Sequence, residues 1–288
     1  MLEINIDLIK ILLIHQFPHW AHHEIRPVAK SGHDNRTFHI GKHMTARLPS
    51  AECYEAQVEK EQKWLPILAK HLRLPIQKPI ALGTPTSFYP MKWSINAWIL
   101  GEPLLTAHIK DKGQFAHDLA DFLLDLQSIR TDGGPAAGDH NFHRGGNLAV
   151  YNDETLKAIK QYENLFPSTI LIKAWNRILS TKWEKPAVWV HGDIAPGNLL
   201  VEDERLCAVI DFGVMGVGDP ACDMAMAWTF FDEGSRATFK KALRTDDHTW
   251  DRAKGWALWK ALITFCGDVS SDAYGVINEI LNEEQKAI

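Results

Sequence analysis

The stretch from residue 191 to residue 213, HGDIAPGNLLVEDERLCAVIDFG, constrains this chain more than any other. Three polar side chains in it, Asp193, Asn198 and Asp211, lie in short turns next to apolar runs. These runs are 187–190, 199–201 and 207–210. Short β-rich runs bounded by glycine, proline or aspartate are typical of buried strands with turns at their ends. The pattern therefore predicts three oxygen-bearing side chains held at strand ends by a rigid backbone.

Side chains of this kind suit Mg²⁺, which takes one or two carboxylates together with substrate phosphates and water. The spacing also matches the protein-kinase pattern, in which an aspartate and an asparagine five residues later precede Asp-Phe-Gly. In this chain those residues are Asp193, Asn198 and 211–213. The motif thus indicates phosphoryl transfer from a nucleotide with Mg²⁺ as the cofactor.

Length and composition indicate an ordinary globular protein. A chain of 288 residues with 45% apolar and 23% charged residues is long enough for one large domain or two lobes. The net charge of −5 disfavours a dedicated nucleic-acid binder, which usually carries a basic balance. The four cysteines form no CxxC or Cys/His cluster, which disfavours a structural zinc site and fits a reducing compartment.

The N-terminus offers one apolar run, at 9–14, which contains Lys10. The run is far too short to span a membrane and lacks a signal-peptide cleavage pattern. We therefore expect a cytoplasmic protein with no membrane partner.

Patterns along the chain predict two parts. Residues 24–50 alternate strands and turns, a helix is predicted over 51–70, and further strands are predicted near 79–82, 87–92 and 96–99. After a break at 98–103 the apolar spacing becomes helical. These patterns predict a small β-rich N-terminal lobe, residues 1–99, and a larger, mainly helical C-terminal lobe, residues 100–288.

The polar turn Ser31-Gly32-His33-Asp34-Asn35 lies between the first two predicted strands. Its backbone N–H groups could cover nucleotide phosphates. It contains only one glycine, so an ordinary hairpin turn is the alternative. Asn35 is accordingly a candidate for phosphate contact or for capping the turn.

The chain resembles the aminoglycoside phosphotransferase family, a small-molecule branch of the protein-kinase-like fold. The residues that carry the resemblance are His191-Gly192-Asp193 with Asn198, 210–213 (IDFG), and 218–220 (GDP) with Asp223 and Trp228. The order of elements agrees from about residue 20 to about residue 260. The resemblance implies an α+β, bilobal protein-kinase-like fold.

The resemblance also implies roles for these residues. Asp193 would accept or orient the proton of the attacking hydroxyl, and Asn198 and Asp211 would be Mg²⁺ ligands. His191 and Asp223 would support the loop.

Two residues of the N-terminal part match the ion pair of the family. Glu61 corresponds to the helix glutamate, and Arg47 stands where protein kinases carry a lysine on the third strand. An arginine can still pair with Glu61 and contact phosphates, with a forked geometry that lysine lacks. The hinge residues Trp98, Ile99 and Leu100 are placed to hold the nucleotide base.

A further departure from the kinase pattern is Gly192, where protein kinases carry an arginine that serves activation-loop phosphorylation. Its absence favours a small-molecule kinase.

The sequence signals for substrate-binding residues are weaker than those for the motif residues. Arg144 lies in a glycine-rich loop, NFHRGG, and is equally well explained as a surface arginine. Asp232, Glu233 and Trp228 follow the motif region, and carboxylates crowd the C-terminal segment. An acidic cleft suits a polyamine antibiotic, although carboxylates on a terminal helix are often simply solvated.

We therefore predict a phosphotransferase that uses ATP or GTP and Mg²⁺ to phosphorylate a hydroxyl of a small molecule, with an aminoglycoside-type antibiotic first. The alternatives are a macrolide kinase, a kinase of an endogenous choline-like or sugar-like metabolite, and an inactive nucleotide-binding scaffold. The expected partners are the nucleotide and a small hydroxylated substrate, with no nucleic acid and a monomeric or homodimeric chain.

Overall fold

The computed structural model describes residues 3–29 and 32–286 of the chain. The chain divides into two compact units. The first contains residues up to Glu102 together with 207–213, and the second contains 103–206 and the residues from 214 onward. Strands dominate the first unit and helices the second, which confirms the predicted α+β class with a β-rich N-terminal part and a mainly helical C-terminal part.

The first unit is built on one antiparallel sheet with two helices. The helices are α1 (Ile6–Gln16) and α2 (Glu55–Leu68). The strands are β1 (Ile25–Pro27), β2 (Asn35–Ile40), β3 (Met44–Pro49), β4 (Pro79–Gly83) and β5 (Trp93–Ala97). Their order in the sheet is β1-β2-β3-β5-β4, so β3 is the central strand. Residues on β3 are therefore held by ladder hydrogen bonds on both sides.

Side chains of β3 alternate between the apolar core of this unit and the opposite face of the sheet. Ala46 and Leu48 are buried in an apolar cluster that also contains Leu12 of α1. Because side chains alternate along a strand, Arg47 projects to the opposite face of the sheet. That face carries α2, which follows β3 in the chain. The alternation thus puts the one charged residue of β3 on the α2 side.

One predicted strand is wrong. Residues 87–92 read as a strand in the sequence, but the structure has a turn there, in which Thr86 N donates to Tyr89 O (2.7 Å) and Tyr89 N to Thr86 Oγ1 (2.9 Å). Pro85 and Pro90 flank the turn, and neither has an N–H for a ladder bond. The strand that follows the turn in the chain, β5, consequently begins at Trp93.

The remaining elements are mostly helices. They are α3 (Lys112–Ser128), α4 (Asn152–Gln161), α5 (Ser168–Leu179), α6 (Met226–Thr229), α7 (Glu233–Leu243), α8 (Asp247–Thr264) and α9 (Asp272–Lys286). The short strands are β6 (Glu102–Pro103), β7 (Val188–Val190), β8 (Leu199–Glu202), β9 (Arg205–Val209) and β10 (Gly216–Gly218). In the second unit β7 pairs antiparallel with β10, and the 191–198 loop begins directly after β7. None of the helices within residues 3–29 and 32–286 is long and apolar enough to cross a membrane.

Candidate active site

The first unit brings Arg47, Glu61 and Asp211 together. Arg47 Nη1 lies 3.2 Å from Glu61 Oε1, and Arg47 Nη2 lies 2.6 Å from Asp211 Oδ1. The side chains of Arg47 and Glu61 are almost completely buried, whereas that of Asp211 is 37% exposed. One guanidinium therefore bridges the helix carboxylate and the aspartate of the IDFG motif.

The charge of Arg47 is stabilised by its neighbours. Burial by itself would lower its pKa, but the carboxylates of Asp211 and Glu61 outweigh that effect, so the pKa of Arg47 is raised. The guanidinium therefore stays charged between the two carboxylates, which also fix its position.

A fourth residue, Gln77, completes this cluster. Its Oε1 accepts a hydrogen bond from Arg47 Nη1 (2.6 Å), and its Nε2 donates to Glu61 Oε2 (3.4 Å). No sequence pattern points to Gln77, because a lone glutamine between Ile76 and Lys78 carries no recognisable signal. Only the three-dimensional structure reveals its position.

The turn before β2 is fixed by side chains from α2 and from the residue that follows β3. Ser31 of the predicted turn lies outside the described residues. His33 O accepts from Ser50 Oγ (2.8 Å), and Asp34 Oδ2 accepts from Gln57 Nε2 (3.1 Å). Asn35 follows as the first residue of β2 and is buried. Because Gln57 precedes Glu61 by one helical turn, α2 contacts both this turn and Arg47.

The residues predicted to form the hinge directly follow β5. Trp98 N donates to His43 O (2.8 Å), and the Trp98 ring lies edge-on to His39 with 4.4 Å between centroids. Ile99 is half-buried, and Leu100 is 80% exposed. The segment is thus anchored by its first residue.

The second unit holds the 191–198 loop. Asp223 is completely buried, and its two oxygens accept from the backbone N–H groups of His191 and Gly192, both at 2.7 Å. His191 Nδ1 accepts from Asp193 N (3.1 Å), and Asn198 Nδ2 donates to Asp193 Oδ2 (2.9 Å). The Asp193 backbone is therefore held in place while the residue itself remains exposed.

Gly192 is a structural requirement of this loop. Its φ is +86°, and a Cβ there would lie 2.6 Å from Val214 O and 3.0 Å from Arg144 Cβ. No residue with a side chain fits without displacing the backbone. The glycine at this position, noted in the sequence as a departure from protein kinases, is explained by this close approach.

Arg144 packs against the same loop and onto aromatic rings. Its guanidinium carbon lies 5.0 Å from the ring centroid of Trp256 and 4.9 Å from that of Trp259. The loop before it is bent, with positive φ at Phe142 (51°) and His143 (54°). The structure thus places Arg144 beside Gly192, on a floor of two buried tryptophans.

The other candidate substrate contacts are less accessible than expected. Trp228 is 3% exposed and its Nε1 donates to Glu283 Oε1 (3.1 Å), so its side chain belongs to the core instead of an open pocket. Asp232 caps α7 by accepting from Ser235 N (2.9 Å). Glu233 is exposed at the start of α7.

The acidic residues of α9 are largely paired. Arg236 contacts both Glu279 and Glu283. Lys254 lies 3.0 Å from Glu283 and 2.9 Å from Glu284. These carboxylates stabilise the packing of α9, and they leave less negative charge for a ligand than the sequence suggests.

No group of three or more histidine, cysteine, aspartate or glutamate side chains suited to a metal ion occurs in the described part of the chain. Asn198 and Asp211 nevertheless offer an amide and a carboxylate oxygen, the donor types that Mg²⁺ accepts when phosphates supply further ligands. The donor chemistry of the two residues fits such an ion.

Solved structures with this fold include aminoglycoside and macrolide phosphotransferases. The GDP complex of aminoglycoside 2'-phosphotransferase-IIIa matches with a TM-score of 0.74 and 16% identity, over 99% of each chain. The streptomycin–ATP complex of APH(2")-IIa matches with a TM-score of 0.61 and 18% identity, over 98% of this chain and 97% of the other. Macrolide 2'-phosphotransferase MphH from Brachybacterium faecium matches with a TM-score of 0.61 and 19% identity, over 98% and 96%.

At these identities the likeness shows a common fold, which confirms the predicted kinase-like architecture. A search of curated protein sequences finds no match. The model of the phosphotransferase enzyme family matches residues 24–256, which include the whole 191–213 stretch and both members of the Arg47–Glu61 pair. This chain therefore belongs to the phosphotransferase enzyme family.

Proposed function

We propose that this phosphotransferase moves the γ-phosphoryl group of ATP or GTP to a hydroxyl group of an antibiotic, with an aminoglycoside as the first candidate. The observation that carries the proposal is the intact sequence motif of Asp193, Asn198 and Asp211 in a chain of this family. The similar solved structures support it, since they are aminoglycoside phosphotransferases with GDP or ATP and a macrolide phosphotransferase without nucleotide. The reaction would take place in the cytoplasm, where nucleoside triphosphates are abundant.

In this proposal Asp193 receives or orients the proton of the attacking hydroxyl. Its exposure and its hydrogen bond from Asn198 suit that role, because the carboxylate is accessible and its direction is fixed. Phosphoryl transfer depends mainly on positioning and on neutralising phosphate charge. Asn198 and Asp211 would hold Mg²⁺, which when bound neutralises and orients the phosphate oxygens.

The first unit would bind the nucleotide. Arg47, kept in place by Glu61, would contact the α- and β-phosphates, and the turn that ends at Asn35 would cover them. The hinge at Trp98, Ile99 and Leu100 would hold the purine base with backbone groups.

A second candidate, a macrolide kinase, is favoured by the pairing of the α9 carboxylates. Glu279, Glu283 and Glu284 each contact a cation of the chain, so they are poorly suited to hold a polyamine as well. A macrolide carries far less positive charge than an aminoglycoside and needs fewer free carboxylates. Arg144, Asp232 and Glu233 remain candidate acceptor contacts in either case.

The test is a panel of aminoglycosides and macrolides incubated with the protein, Mg²⁺ and either ATP or GTP. We expect at least one antibiotic to gain one phosphate, measured by mass spectrometry and by nucleoside diphosphate release, and the Asp193→Asn variant to be almost inactive. If no antibiotic is phosphorylated and no host cell is protected, the antibiotic assignment is wrong. Phosphate gain by a compound of a metabolite extract would then indicate an endogenous substrate, and nucleotide binding without any acceptor would indicate a scaffold.

A further inference from the structure

Gln77 contacts every member of the buried cluster in the first unit. Besides its bonds to Arg47 and Glu61, its Oε1 accepts from the backbone N of Asp211 (3.4 Å). Its side chain is buried, with 6% of the residue exposed. A buried amide with both its oxygen and its nitrogen engaged has a single defined orientation.

The backbone explains why Gln77 reaches Asp211. Ile76 forms a parallel bridge with Val209, and Val209 N donates to Pro75 O (3.2 Å). Two residues beyond Val209, Asp211 adopts a φ of 66°, in the left-handed region that residues with a side chain rarely occupy. Such a conformation persists when its surroundings hold it in place. The hydrogen bond from Asp211 N to Gln77 is one such constraint.

The chemistry of the cluster favours a neutral acceptor at this position. Arg47 faces two carboxylates, Glu61 and Asp211, so a third carboxylate would add repulsion among the acids and against incoming phosphates. A glutamine oxygen accepts from the guanidinium without adding charge. Lysine offers one compact ammonium, whereas the fork of arginine holds two nitrogens apart, so that Nη1 contacts Glu61 and Gln77 while Nη2 contacts Asp211.

We propose that Gln77 is a positioning residue for the nucleotide phosphates, which holds the Arg47 guanidinium between Glu61 and Asp211 and is required because arginine stands where lysine is usual. This role rests on the proposed function in one respect, namely that Arg47 contacts the phosphates. It extends that function by adding a residue for which neither the sequence motifs nor the family match assigns a role.

The test compares ligands with and without phosphates. Gln77→Met keeps the volume and removes both hydrogen-bonding groups. We expect it to weaken Mg²⁺–ADP or Mg²⁺–GDP binding about tenfold or more in calorimetry, because a hydrogen bond to a charged group is lost. The affinity for adenosine or guanosine, measured by competition, should change less than about twofold. A loss of general packing would weaken both kinds of ligand equally and would overturn the proposal.

The matched control is Gln62→Met. Gln62 is another glutamine of the first unit and is partly buried, but its Nε2 donates to Ala81 O (3.2 Å), a backbone group outside the cluster. This variant should bind Mg²⁺–ADP and Mg²⁺–GDP like the wild type. A similar loss in Gln62→Met and Gln77→Met would contradict a specific role for Gln77.

A double variant tests the link to Arg47. In an Arg47→Lys background, Gln77→Met should have little further effect on diphosphate binding, since the guanidinium that it positions is gone. Independent, multiplicative losses would overturn the proposal. If Gln77→Met does not fold, Gln77→Glu keeps the acceptor and adds a charge, and we expect weaker diphosphate binding; wild-type affinity would contradict the role.

These measurements need no acceptor substrate. If no antibiotic is phosphorylated but Gln77→Met selectively weakens diphosphate binding, the proposed acceptor is wrong and the role of Gln77 stands. If the wild type binds neither ADP nor GDP, the proposed function and this role are both wrong.

Discussion

Asp223 illustrates how one buried carboxylate can organise a loop at the scale of single residues. Burial raises the pKa of Asp223. The nearby His191 side chain and the backbone N–H groups of His191 and Gly192 oppose this rise, because they favour the charged form. Without this carboxylate those N–H groups would be buried without its hydrogen bonds, which is costly. Asp193, two residues beyond His191, thereby acquires a fixed backbone.

The two aspartates of the motif are expected to differ when mutated. Asp193→Asn should lower kcat by roughly 10²–10⁴ and leave nucleotide affinity nearly unchanged, as for loss of a general base. Asp211→Ala should weaken Mg²⁺–nucleotide binding itself, because the variant lacks a proposed metal ligand. Steady-state kinetics and calorimetry separate the two. Equal affinity losses in both variants would mean that Asp193 is a metal ligand, and wild-type affinity in Asp211→Ala would contradict its metal role.

A close approach between two glycines positions β10 against the Arg144 loop in the second unit. Gly218 of β10 lies so close to Gly145 that an added Cβ would lie 2.0 Å from Gly145 O. Asp219 N also donates to Gly145 O (2.8 Å), so the end of β10 is held against the loop that precedes Asn147. This close approach brings the Arg144 loop to the strand that pairs with β7.

A pair of glycine variants tests this packing. Gly218→Ala should lower the free energy of unfolding by about 1–3 kcal/mol, since the backbone must move to accept the methyl group. Gly275→Ala on α9 meets nothing within 4 Å and should stabilise the chain by up to about 1 kcal/mol through helix propensity. Urea unfolding of the two variants measures both effects. Equal stability of the two would show that the approach of β10 to Gly145 is not tight.

On the scale of the whole molecule, ion pairs connect helices that are distant in the chain. Arg177 of α5 donates to Glu284 of α9 at 2.6 Å, and Lys254 of α8 donates to the same carboxylate at 2.9 Å. Burial would raise the pKa of Glu284, but the hydrogen bonds from Arg177 and Lys254 lower it to about 2 from the ordinary 4.5. Removal of one member of a buried charge cluster leaves its partners without compensation.

The pH dependence of stability follows from this shift. A lowered folded-state pKa contributes stability that is fully present above about pH 4.5 and is lost as the pH falls toward 2. Glu284→Gln should therefore destabilise the chain by about 1 kcal/mol at pH 7, after allowance for solvent screening. The difference from the wild type should shrink between pH 4.5 and pH 2 in urea unfolding series. If the difference between variant and wild type stays constant over that range, ionisation of the Glu284 carboxylate does not contribute to stability.

Much of this fold and of the candidate site can be predicted from the sequence. Asp193 and Asp211 lie in loops and Asn198 ends a short 3-10 helix, close to the short strands that the apolar flanks predict, because strand patterning is a local property. The wrong strand at 87–92 has a local cause as well, since Pro85 and Pro90 outweigh the β-rich composition between them.

The sequence by itself determined the chemistry and its order along the chain: a kinase-like motif, an arginine in the lysine position, and a β-rich part before a helical one. Only the tertiary structure decided which side chains share a contact. Arg47 and Asp211 are 164 positions apart, and Gln77 enters their cluster because the backbone at Ile76 lies beside Val209. The same holds for Trp228, buried against α9, and for the α9 carboxylates that Arg236 and Lys254 neutralise. Contacts of this kind depend on packing between distant segments, which no local pattern records.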